Sequence, residues 1–144
     1  MWWWLACFAE GSDTAAPVTT DPPGACDVVE EYDFTVLASV TTQGGQPFEG
    51  ADVWFEDRGW TPGAILGNSS SDANGDVEVV ALGVTMVEGC PILDYWLVAE
   101  GTDPTGAAVR AENGLNANLY TALDNGTFVA DISMFPLELE PIAR

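Results

Sequence analysis

The chain has 144 residues, of which 23 are Asp or Glu, 3 are Lys or Arg and none is His, giving a formal net charge of -20. That length suits one domain with one core. Nucleic acid is a poor partner, because docking on phosphates needs clustered cations and only Arg58, Arg110 and Arg144 are present; an anionic membrane surface is disfavoured on the same ground. The missing His removes Ser-His-Asp and Cys-His nucleophile systems and the His-containing zinc sites.

A hydrophobic content of 47% with 10% aromatics belongs to a folding chain, not to a disordered acidic one. No apolar run reaches the roughly 18–20 residues that a membrane-spanning helix requires. An acidic chain without Lys also suits a salty or divalent-rich medium, where self-repulsion is screened.

Residues 1–9, MWWWLACFA, form an apolar start, and residues 10–26 form a linker of Thr, Pro, Ala, Gly and acids. A secretory signal has a cationic start, an apolar stretch and a small-residue cleavage site; here the apolar stretch and Ala6 are present without a cation ahead of them. Leu5-Ala6-Cys7 resembles the end of a bacterial lipobox, with Trp4 where an aliphatic residue is usual. The first expectation is therefore lipid attachment at Cys7, ahead of ordinary signal cleavage or an uncleaved apolar terminus. Lipidation would leave Cys26 and Cys90 as an even pair in an exported chain, which points to a disulfide over two buried thiols. Such a bridge closes 90−26 = 64 residues.

From residue 32 onward the hydrophobic period is two, and the segments are short and divided by Gly, Asn, Asp and Pro. Residues 32–41 place Phe34, Val36, Ala38 and Val40 on one face, and residues 43–47 supply a turn. Strands are predicted at 51–56, 64–71, 76–82, 92–99, 107–112, 117–123, 127–134 and 137–140. Asn74-Gly75 predicts a type I′ hairpin, since that turn needs positive φ at both centres, and 124–126 predicts another. No helix is required. Residues 27–144 are thus expected to form an all-β, antiparallel β-sandwich of about seven to nine strands.

Residues 40–55, with Gly45-Gln46-Pro47 followed by Gly50-Ala51-Asp52-Val53, resemble the opening of carboxypeptidase regulatory-like (prealbumin-like) domains and of invasin-type bacterial Ig-like domains. Residues 71–79 resemble the hairpin those families share, and Tyr95-Trp96-Leu97-Val98-Ala99-Glu100-Gly101 resembles one of their strands. The resemblance spans about half the chain, from 36 to 101, and implies a non-catalytic module used for binding, adhesion or spacing on bacterial surfaces. Either topology, Ig-like or prealbumin-like, fits it.

Asp72, Asn74, Asp76 and Glu78 alternate in a pattern that suggests a Ca²⁺ loop, but Val77 stands where an EF-hand has Gly and Gly83 where it has Glu. Turn capping by Asp72 is the plainer reading. Asp27, Glu30, Glu31 and Asp33 read as a solvated acidic edge. Among the aromatics, Trp96 is expected in the core, and Trp60, in the 58–62 loop, is the candidate for an exposed contact, with folding back onto the core as its alternative. No constellation recommends an enzyme. The expected role is a monomeric, lipid-anchored module of the bacterial outer membrane or cell surface that binds a protein or glycan or acts as a spacer; the alternative is a Ca²⁺- or carbohydrate-binding sandwich.

Overall fold

A computed structural model describes Cys26 and residues 29–87 and 90–142. Its elements are β1 (Glu31–Thr41), β2 (Asp52–Asp57), β3 (Ala64–Ser70), β4 (Asp76–Thr85), β5 (Tyr95–Thr102), β6 (Ala108–Gly114), α1 (Asn116–Asp124), β7 (Val129–Asp131), β8 (Leu137–Glu138) and β9 (Glu140–Pro141). In the first sheet, β4 lies antiparallel on one side of β1, while β7 and then β8 run parallel along its other side. The second sheet has the antiparallel order β3-β2-β5-β6-β9. The fold is an all-β sandwich.

Alternation in the strands builds the layer between the sheets. Phe34, Val36, Ala38 and Val40 of β1 and Val77, Val79 and Ala81 of β4 meet Val53, Phe55, Tyr95, Leu97, Ala99 and Val109 of the second sheet, all buried. Burying one large apolar side chain of this kind contributes roughly 1.5–3 kcal/mol relative to exposure. Phe55 and Tyr95 pack with ring centroids 5.4 Å apart. The Tyr95 hydroxyl donates to the Thr85 carbonyl at 2.6 Å, tying β5 to the end of β4 and satisfying a buried polar group.

Three sequence expectations are corrected. Residues 117–123 are helical within α1, not a strand: Leu115, Leu119 and Ala122 recur at one face of a helical turn and all three are buried. Asn116 fixes the start of that helix, accepting from the Tyr95 N–H at 2.8 Å and donating to the Leu93 carbonyl at 2.7 Å. The 124–126 turn is the helix's end: the Gly126 N–H bonds to the Leu123 carbonyl and the Thr127 N–H to the Ala122 carbonyl, with Gly126 at φ 69°. Asn74-Gly75 closes no hairpin, since β3 and β4 belong to different sheets, and only Gly75 has positive φ, at 79°.

Strand directions sort the loops into two poles. The 58–63 loop and residues 86–87 and 90–94 lie at the pole where β1 begins, and there Cys26 is disulfide-bonded to Cys90 with Cα atoms 5.2 Å apart. The 42–46, 72–76 and 103–107 turns lie at the opposite pole with Ile142, whose N–H bonds to the Ala108 carbonyl. Cys7, Asp27 and the 10–25 linker lie outside the described residues.

Candidate functional site

The outer face of the second sheet carries a lattice of Trp, Arg and Glu side chains. Register places Trp54 of β2 beside Val98 of β5 and Val98 beside Glu112 of β6, so one face-row crosses three strands. Arg58 donates to both oxygens of Glu112, at 3.1 and 2.9 Å, and through Nε to Glu56 at 2.7 Å. Arg110 donates to Glu112 through Nε and Nη2 at 3.0 and 2.7 Å and pairs with Glu100 through Nη1. Two indoles complete the lattice. The Arg58 guanidinium stands 4.8 Å from the Trp96 ring centre and that of Arg110 stands 5.9 Å from Trp54, both within cation–π range. The indole N–H groups donate to Glu56 (Trp54, 2.9 Å) and Asp94 (Trp96, 2.7 Å).

Trp96 is therefore not a core residue. It is half-buried on the outer face, because Tyr95, Leu97 and Ala99 take the inward positions of β5. Val98 shares that outer face, in register between Trp54 and Glu112, and is nevertheless fully buried. Hydrogen bonds from Arg58 and then Arg110 hold the Glu112 carboxyl at about 2, and those from Trp54 and Arg58 lower that of Glu56. The Arg58 guanidinium is raised in turn, first by Glu112. These carboxyls stay anionic at any ordinary pH, which is the reverse of what a general acid requires.

Trp60 folds back. It is half-buried and packed against the core, the alternative to the exposed contact expected of it. The cause is Asp57, buried at the end of β2, whose carboxylate accepts from the N–H groups of Gly59 and Trp60 at 2.9 Å each and of Thr61 at 2.9 Å. Gly59 lies so close to the Ile92 carbonyl that a Cβ there would stand 1.7 Å from the oxygen. The loop is thus pinned from both sides.

The candidate cation ligands occupy one of three turns built alike. In 72–76 the Asp72 carboxylate accepts from the N–H groups of Asn74 and Asp76, at 2.9 Å each, while the Gly75 N–H bonds to the Asp72 carbonyl. In 103–107 Asp103 does the same for Thr105, Gly106 and Ala107, and the Thr105 hydroxyl lowers the Asp103 carboxyl further. In 42–46 the Thr42 hydroxyl serves Gly44 and Gln46. Each turn has its glycine at the fourth position, with φ of 85° at Gly45, 79° at Gly75 and 88° at Gly106. Asp72 therefore shapes its own loop, and among the described residues no three acidic or cysteine side chains gather to hold a metal.

The lattice was not among the sequence candidates. A signal was present: Trp54, Glu56 and Arg58 alternate, as do Arg110 and Glu112, so Arg58 and Arg110 each sit two residues from a Glu. No family model, no curated protein and no solved structure matches the chain.

Proposed function

We propose that this chain is a non-catalytic module of the bacterial cell envelope, lipid-anchored at Cys7, that presents a prealbumin-like sandwich as a binding or spacer domain. The observation that carries the reading is the polarity of the molecule. The chain enters the domain at Cys26, pinned by Cys90 at one pole, and the capped turns stand at the other. Eighteen residues lie between Cys7 and Cys26, a tether of at most about 68 Å at full extension. A bridge between residues 64 apart suits an oxidising, extracytoplasmic compartment.

The strand order supports the prealbumin-like alternative. An Ig arrangement pairs its first strand with its second and puts the third in the opposite sheet with the sixth and seventh. Here β1 pairs with β4, and β2, β3, β5 and β6 share the other sheet.

The test is the intact mass of the protein extracted from its host's membrane fraction, with and without reductant. A species starting at a lipid-modified Cys7 that gains two mass units on reduction is the expected result. An unmodified chain starting at Met1 with free thiols overturns the anchored reading.

A further inference from the structure

Strand edges invite partners unless something closes them. β3 packs against β4, with Gly67 pressed to the Val80 carbonyl, and α1 packs on β7. β6 is closed only in part. β9 pairs with it at Val109 and Arg110, but the residues just before β9 cross to the first sheet, where Leu137 and Glu138 pair with Val40 and Thr41.

Antiparallel pairing alternates sides, so the direction of each backbone group in β6 is determined. The Ala108 carbonyl accepts from Ile142 on the β9 side, and Leu115, just past β6, donates to the Tyr95 carbonyl on the β5 side. Even-numbered residues of β6 therefore point toward β9 and odd ones toward β5. Beyond Arg110, the N–H and C=O groups of Glu112 and Gly114 face an edge with no strand partner among the described residues.

A groove of about 590 Å³ runs along this edge, lined by Ala111, Asn113, Phe135, Leu137, Glu138 and Glu140 among others. Ala111 and Asn113 share the inward side of β6 with Val109 yet are only half-buried, because the space between the sheets opens there. Phe135 is 74% exposed at its rim. Glu112 is paired with two arginines, but no ion pair joins Glu138 or Glu140 to a cation among the described residues.

We infer that this edge receives an extended segment of a partner protein by strand addition, with apolar residues alternating with Lys or Arg. Continuing the line of β9 past Arg110, such a segment hydrogen-bonds to Glu112 and Gly114. Its side chains on the side of Ala111 and Asn113 enter the groove against Phe135 and Leu137. Glu138 and Glu140, joined to no cation among the described residues, on a chain of net charge -20, set the sign of the residues between. The same charge opposes a second copy of this chain as the occupant. The inference rests on the reading of the domain as a binding module, not on its anchor.

The probe is a fluorescein-labelled, acetylated heptapeptide of alternating Lys and Val, titrated into the intact protein by anisotropy. The control is the same peptide with Pro for its central Val, equal in charge but unable to pair as a strand. The control should bind at least tenfold more weakly. Gly114→Pro, which deletes an edge N–H and leaves the bonds to β5, should weaken the probe at least tenfold, and Phe135→Ser about fivefold. Amide exchange should slow at Glu112 and Gly114 on binding. Equal binding of the two peptides, unchanged binding in both variants, or protection elsewhere overturns the inference. So does a dimer that protects the edge without peptide. Lipid found at Cys7 without peptide binding removes this inference alone, and peptide binding by an unlipidated chain removes the anchor alone.

Discussion

Arg58 and Glu112, 54 residues apart in sequence, form a two-pronged pair that spans β5 and links the end of β2 to β6. Both side chains are about three-tenths exposed, so the pair is screened by solvent and modest in worth. Its planar fork and its place over Trp96 lift it above an isolated surface pair. Arg58→Ala should lower stability by about 1 kcal/mol and the melting temperature by about 4 °C. Arg58→Lys should recover little, because an ammonium cannot make both bonds. Full recovery by Lys in thermal melts would show that charge alone matters there.

Acid should dissolve the same lattice in a defined window. Glu112 is held at about 2 by Arg58 and Arg110, below its ordinary value near 4.5, so its contribution is whole above the unfolded value and is lost as pH falls through the folded one. Urea unfolding between pH 5 and pH 2 should show stability falling with pH. Glu112→Gln should flatten that fall while lowering stability at pH 7. A variant with the wild-type slope would place the acid sensitivity elsewhere.

Local patterns made much of the fold legible. Alternation at Phe34, Val36, Ala38 and Val40 announced a shared face, and all four are buried. The helix escaped because α1 has nine residues, and Leu119, Tyr120 and Thr121 suit a strand as readily. Its stop signal, Asn125-Gly126, is also a hairpin signal, and only the buried spacing of Leu115, Leu119 and Ala122 separates the two readings. Trp96 was misplaced because two apolar faces of β5 compete, and register against β2 and β6 decides which faces in. That register is also what joins Arg58 to Glu112 and leaves Gly114 at an open edge, so neither site followed from neighbours in sequence.

The disulfide gives a third prediction. A bridge closing 64 residues restricts the unfolded chain by about 4 kcal/mol in the loop-entropy description. Cys90 is buried beside the core, so Cys90→Ser adds the loss of a well-packed group to the loss of the link. The variant should unfold at distinctly lower urea, and reductant should shift the wild-type protein and leave the variant unmoved. A wild-type midpoint indifferent to reductant would mean the bridge adds nothing to stability.

Two glycine substitutions separate strain from collision. Gly45 stands at φ 85° with open space where its Cβ would go, so Gly45→Ala meets only the left-handed backbone penalty of about 1–2 kcal/mol. Gly67 is needed for the opposite reason: a Cβ there would stand 2.1 Å from the Val80 carbonyl oxygen, where β3 of one sheet crosses β4 of the other. No side chain can yield at that contact, since the obstacle is backbone, and the strands must part. Gly67→Ala should therefore cost about 3 kcal/mol or more and speed amide exchange in both β3 and β4. Gly45→Ala should speed exchange only around its own turn. Equal losses in the two variants, with no change at β4, would mean that the sheets do not touch at Gly67 and that the corner between them is held by the core alone.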